Sequence, residues 1–270
     1  MGRDAMKRLS LSHLTVLDVG PPDLIPLAAQ AGFRAVGIRL CSPMPGGVAY
    51  PLRAGSPELR DTLHLMEAHD VVVSDIEVVR IAADTRIDDY APAFEAGAEL
   101  GAQRVCINID DPERARVIDR LGALCDLAEP FGLALDVEFM IWRPVARLED
   151  AVDVVTAIRK KNAFVLIDAL HLIRSGGTVD AVAAIDPAFI GSVQLCDAPI
   201  QAPPPSGIID EARSNRLLPG EGDLPLMELL AALPKDVPLS AEVPLARETD
   251  STKRAALVRQ ATERLLQGNA

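Results

Sequence analysis

Eight short apolar runs punctuate the chain, and a longer stretch with helical spacing follows each of them. The runs are RLSLSHL (8–14), AVGIRLC (35–41), VVVSDIEVV (71–79), RVCINI (104–109), LALDVEF (133–139), AFVLIDA (163–169), IGSVQLC (190–196) and PLSAEVP (238–244). Runs of this length, rich in β-branched residues, read as strands, and the amphipathic stretches between them read as helices. A strand separated from the next by a helix cannot turn back as a hairpin, so neighbouring strands must be parallel. Parallel strands are covered on both faces and read as near-continuous apolar segments. Eight such units predict an α/β fold: a (β/α)₈ barrel forming one domain over residues 1–270. An open doubly wound sheet is the competing arrangement. The first turn, HLTVLDVGPPD (13–23), lacks the G-x-G-x-x-G spacing that a dinucleotide-binding version places there.

Local signals agree with the rhythm. Gly32 stands where the first helix should end, and Ser56 followed by Pro57 marks the start of the next. Gln194 and Glu242 are 48 residues apart, longer than one strand–helix unit needs, so an extra segment follows the seventh strand. That segment, residues 197–222, is rich in Pro and Gly and reads as a functional loop, a lid over one end of the barrel.

At 270 residues the chain is long enough to bury a large core, and 49% hydrophobic with 24% charged residues describes a globular protein. A net charge of −12 repels phosphate backbones, which argues against nucleic acid as a partner. Cys41, Cys106, Cys125 and Cys196 form no C-x-x-C pair and read as reduced thiols, which suits the cytoplasm. The start has no apolar stretch of a secretory signal, MGRDA reads as an unstructured beginning, and no run reaches the roughly 18 apolar residues of a membrane span.

Polar residues at the strand ends carry the functional signal. Glu138 closes the fifth run, Asp168 the sixth, Gln194 the seventh and Glu242 the eighth. In a barrel those ends lie on the face where active sites are built. A polar residue closing one strand is most often a helix cap or turn residue; four such residues in succession can converge on one point. Three carboxylates at one point repel unless a cation sits among them. One divalent ion answers that need, and an all-oxygen set of three carboxylates and one amide favours Mn²⁺ or Mg²⁺, with Co²⁺ a further fit.

The set Glu138, Asp168 with His171 in a D-x-x-H arrangement, Gln194 and Glu242 resembles the xylose-isomerase-like TIM-barrel superfamily. Its members include sugar epimerases, hydroxypyruvate isomerase, inosose dehydratase and metal-dependent 3-dehydroshikimate dehydratases. AAQAGFRAVGIRL (28–40) and LLPGEGDLPL (217–226) look like segments of the same family. The resemblance implies that Glu138 and Glu242 are ligands that also flank the substrate as an acid/base pair. It implies that His171 bonds the substrate or holds a ligand. The activity it implies first is an isomerase or epimerase that moves a proton next to a carbonyl of a small sugar, sugar acid or keto acid. The alternative is a dehydratase acting on a cyclic hydroxy-keto acid. An endonuclease on the same barrel would need more than four histidines and a less acidic chain, and a non-catalytic binding module would not need the intact ligand set. Similar barrels commonly form homodimers or tetramers, so a homo-oligomer is a further expectation.

Basic residues suggest the substrate class. Arg39, Arg80 and Arg143 follow strands on the same face, and Arg213 and Arg216 lie in the long segment. Arginine grips carboxylates and phosphates bidentately, so an anionic carbonyl or polyol substrate is expected, with Arg39 and Arg216 the strongest candidates. Trp142 is a candidate wall of the pocket, and His13 and Glu77 are candidate substrate contacts, each with packing or backbone satisfaction as the plain alternative. Asp197 reads as a loop cap or as support for the ligands.

Overall fold

The computed structural model describes residues 9–268. Eight strands form a closed parallel barrel in sequence order: β1 (Leu9–Leu11), β2 (Ala35–Arg39), β3 (Val72–Ile81), β4 (Arg104–Ile109), β5 (Ala134–Glu138), β6 (Ala163–Asp168), β7 (Ile190–Leu195) and β8 (Leu239–Ala241). β8 closes onto β1 with Leu9 opposite Leu239 and Leu11 opposite Ala241. Ten helices are described: α1 (Pro21–Ala31), α2 (Pro57–His69), α3 (Ala91–Glu99), α4 (Arg114–Ala128), α5 (Leu148–Ile158), α6 (Ala169–Arg174), α7 (Val179–Ala184), α8 (Ile208–Ser214), α9 (Leu226–Ala232) and α10 (Ser251–Leu266). Their ends follow the sequence signals. Gly32 takes φ 92° and its N–H closes α1 onto Ala28 and Ala29, while the Ser56 hydroxyl accepts from the N–H of Leu59 at 3.2 Å.

Two expectations need correction. The first strand is three residues long rather than seven, because the chain turns at once into a 3₁₀ segment (His13–Val16), with the N–H of His13 donating to Glu77 instead of to a ladder. The segment 197–222, expected as a loop, is partly helical and supplies Ala212, Arg213 and Arg216 to the wall of a cavity at the barrel mouth. It contains α8 and is pinned on several sides. Asp197 accepts from the N–H groups of Ala198, Gly220 and Leu224, Asn215 bridges to Leu245, and Glu211 pairs with Arg174 of α6 through two 2.8 Å contacts. MGRDA lies outside the described residues.

The main apolar core lies between strands and helices, whereas the inside of the barrel is mostly polar. Residues two apart on a strand share a face, and the pairs Asp75 and Glu77, Asp136 and Glu138, Ser192 and Gln194, and Ser240 and Glu242 make two inward layers. Gly37 makes room for one of them: a Cβ there would stand 2.8 Å from Glu77 Oε1 and 2.9 Å from Asp75 Oδ2. Val78, Cys106 and Leu166 form a separate small apolar cluster where barrels ordinarily stack branched side chains. In the lower layer Arg104 clasps Asp136 at 2.5 and 2.6 Å, and Ser192 donates to the same carboxylate at 2.6 Å. These internal ion pairs replace bulk apolar packing. Among the described residues, no helix is long and apolar enough to cross a membrane.

Candidate active site

The upper layer opens into a cavity of about 230 Å³ at the C-terminal mouth of the barrel. Glu138, Gln194 and Glu242 reach it from three strand ends, His171 from the first turn of α6, and Arg39 from the end of β2. Trp142, Arg143 and Arg213 stand around its mouth, and Leu14, Leu17, Val48 and Met140 give it apolar walls.

Each polar group is held by named partners. Glu138 Oε2 accepts from Asn108 Nδ2 at 2.7 Å, and its Oε1 lies 3.7 Å from His171 Nε2. Glu242 Oε1 accepts from Gln194 Nε2 and stands 2.8 Å from the Ser12 hydroxyl. Asp168 is both cap and charge partner: Oδ1 accepts the N–H of His171 at 2.9 Å, starting α6, and Oδ2 accepts from Arg216 Nη1 at 2.5 Å. Arg216 is 2% exposed and also reaches Glu242 Oε2 at 3.0 Å. One oxygen or nitrogen each from Glu138, Asp168 and His171 lies within 4.8 Å of the others.

Burial sets the protonation of this cluster. It pushes the Glu138 carboxyl up to about 7, with the negative charge of Asp168 adding to the effect. It pushes Glu242 up to about 8 against the pull of Arg216. His171 is driven down to about 4 by burial and is therefore a neutral imidazole near pH 7. Burial also acts to raise Asp168, but Arg216 and His171 outweigh it and hold that carboxyl below its ordinary value.

The profile of the xylose isomerase-like TIM-barrel family matches residues 25–267. The chain belongs to that family. Over 159 residues it is 30% identical to a 3-dehydroshikimate dehydratase of Pseudomonas aeruginosa; the match covers 56% of this chain and 25% of that protein. The chain thus spans about a quarter of the curated relative's length. Among solved structures, the IolI protein with a bound zinc atom superposes with a TM-score of 0.79 at 18% identity, covering 97% of this chain and 99% of that one. A D-psicose 3-epimerase superposes with a TM-score of 0.70 at 15% identity, covering 97% and 99%. At these identities the two structures show the shared fold.

The residues of this xylose isomerase-like barrel fit a divalent ion. Gln194 Oε1 and His171 Nδ1 are buried and have no hydrogen-bond partner, which leaves two polar atoms unsatisfied in a cavity that also holds two carboxylates. Of the sequence-derived ligands, Glu138, Gln194 and Glu242 face the cavity, and Asp168 stands behind them with one hydrogen bond on each oxygen, which leaves a lone pair on both. His171 joins the tightest three-residue grouping.

The substrate-contact candidates divide sharply. Arg39 faces the cavity with one nitrogen on Glu77 at 2.9 Å and Nε without a partner. Trp142 packs edge-on against His171 with ring centroids 5.1 Å apart. His13 is spent on structure: Nδ1 accepts the N–H of Arg39, Nε2 donates to the carbonyl of Val19, and the ring stacks on Tyr50. Glu77 is 1% exposed, accepts from Ser12, His13 and Arg39, and does not line the cavity. Arg216 reaches the cavity wall, but its charge is committed to Asp168 and Glu242. Arg213 takes the place expected for Arg216. It faces the cavity, has no ion pair or hydrogen bond among the described residues, and sits in the repulsive field of Arg143 and Arg39. Its position one helical turn before Arg216 puts it on α8, a helix hidden inside a Pro-rich segment.

Proposed function

We propose that this barrel is a divalent-metal-dependent lyase that removes water from a small cyclic hydroxy-keto acid, with 3-dehydroshikimate the first substrate to test. The carrying observation is Arg213, without a partner among the described residues, beside Arg39 and Arg143, which are paired with Glu77 and Asp110, in a cavity that also holds a neutral histidine beside carboxylates. Such an arrangement suits a substrate with a carboxylate at one end and an acidic C–H at the other. The name of the curated relative supports the same choice over the isomerase first implied by the strand ends.

The chemistry follows from the geometry. Glu138, Asp168, Gln194 and Glu242 would hold the ion, which would supply Lewis-acid polarisation of the substrate carbonyl. Arg213, with Arg39 and Arg143, anchors the carboxylate and fixes the ring in the cavity. His171 Nδ1, with a free lone pair, takes the proton from the carbon next to the carbonyl. Glu138 Oε1, near the opposite ring nitrogen, stabilises the imidazolium that results. The electron pair of the broken C–H bond forms the C=C bond as the β C–O bond breaks. His171 returns its proton to the departing hydroxyl, so water leaves and His171 is neutral again.

The isomerase or epimerase reading retains one specific support: two buried carboxyls, Glu138 and Glu242, face the same cavity with raised affinity for protons. A single assay separates the two. Protein reconstituted with Mn²⁺ is mixed with 3-dehydroshikimate in deuterated water. The lyase reading expects a rise in aromatic or enone absorbance. A flat absorbance trace, with deuterium entering keto acids or ketoses at carbon, would replace it with the isomerase.

A further inference from the structure

The largest fully buried side chain among the described residues is a charged one, Arg216, which lies beneath the site and contributes no atom to the proposed chemistry. The Arg216 guanidinium is fixed on five acceptors. Nε donates to the carbonyl of Ala212 at 2.8 Å, Nη1 meets Asp168 Oδ2 at 2.5 Å, Cys196 Sγ at 3.3 Å and the carbonyl of Glu242 at 3.3 Å, and Nη2 meets Glu242 Oε2 at 3.0 Å. Two of these acceptors are backbone carbonyls, so the group stays in place whatever the carboxylates do. Arginine does not lose its proton in a protein, so the positive charge is permanent.

The surrounding ledger of charge is short. Glu138, Asp168 and Glu242 bring three negative charges when ionised, and Gln194 brings none. Glu77 is balanced by Arg39 within hydrogen-bond distance. Arg216 cancels one of the three, leaving two negative charges in an enclosed, low-dielectric space where imbalance is costly.

We infer that Arg216 is a charge-setting residue: it fixes the four-ligand set at a net charge of minus two, and so matches the site to a divalent rather than a trivalent ion. The inference rests on the metal-dependent reading above and deepens it, because it assigns the valence of the ion to a residue that is not itself a ligand. A structural strut would serve equally well as any well-packed hydrogen-bonding group; a charge-setter must carry its charge.

Terbium luminescence offers a direct test, since Trp142 is the single tryptophan and packs against His171 at the site. Metal-stripped wild type, Arg216→Lys and Arg216→Gln are titrated with Tb³⁺, and the sensitised emission is competed with Mn²⁺. The ratio of the two affinities is read, because general damage to the site lowers both together. Wild type and Arg216→Lys should give the same ratio within a few-fold. Arg216→Gln should shift it at least tenfold toward Tb³⁺. Gln194→Glu, which also takes the set to minus three while Arg216 stays in place, should shift it the same way and keeps the test open if Arg216→Gln does not fold. An unchanged ratio in Arg216→Gln, or in Gln194→Glu if only that variant folds, would overturn the inference while leaving the metal reading intact. Wild type that binds neither ion would remove the metal reading and this inference together.

Discussion

At the scale of single residues, two groups divide the labour of the proposed reaction and should fail differently. His171 moves the proton. General acid–base groups contribute roughly 10²–10⁴-fold, so His171→Ala should lower kcat by about that factor while KM changes little. Arg213 binds rather than reacts. A charge-assisted hydrogen bond is worth about 1.5–3 kcal/mol, so Arg213→Ala should lower kcat/KM roughly 10–100-fold, chiefly through KM. Steady-state kinetics on the two variants reads both outcomes; equal losses in KM would contradict the assignment of roles. Much of the site is visible before folding, because Glu138, Asp168, Gln194 and Glu242 each close an apolar run. Arg213 stands with Arg216 among the candidate cations, but that Arg213 is the one left unpaired is not visible, because an arginine without a partner is a property of tertiary placement. Neither is the loss of His13 and Glu77 to structure. Both close apolar runs in the sequence, yet their polar atoms are consumed by the short β1 and the turn after it.

At the scale of elements, the order of strands and helices follows from the periodicity, and most errors lie at boundaries or in the long segment after β7. Pro and Gly content made that segment read as a long loop, and nothing local shows what holds it. The feature that holds it is Glu211, a residue whose partner Arg174 is 37 positions away and belongs to α6. Arg174 also donates to the carbonyls of Pro199 and Ile200, so one guanidinium ties α6 to both ends of the segment's first half. Removing one partner of a buried pair strands the other, which costs about 3–5 kcal/mol. Glu211→Ala should therefore lower unfolding free energy in urea by about that amount and expose residues 199–213 to trypsin. Equal stability and unchanged cleavage would mean that the segment is held by Asp197 and the β-bridges instead. The polar lower layer of the barrel was also missed. Its signal is the residue two places before each strand end, as in Asp136 before Glu138 and Asp75 before Glu77.

At the scale of the whole molecule, a barrel with charges inside must depend on pH. Asp75 gives the cleanest case. Burial, reinforced by the charge of Glu77, raises its carboxyl from the ordinary 3.8 to about 7. A raised carboxyl favours the folded state when protonated, so its contribution is present below pH 3.8 and is lost as pH climbs through 7. Asp75→Asn carries no charge at any pH. Its Tm should match wild type near pH 4 and exceed it above pH 7, read from melting curves across that range. A constant difference between the two proteins would show that Asp75 is ionised in the fold throughout.

The central proposal is that the four strand ends build one divalent-metal site beside His171, and metal content measured together with thermal stability tests it most directly. Elemental analysis of the purified protein should find one divalent ion per chain. Chelation should lower Tm, return of Mn²⁺ should restore it, and Asp168→Ala should show neither response. Protein without bound metal, whose Tm is indifferent to chelator and to every divalent ion tried, would contradict the convergence of Glu138, Asp168, Gln194 and Glu242 on a metal and the lyase proposed from it.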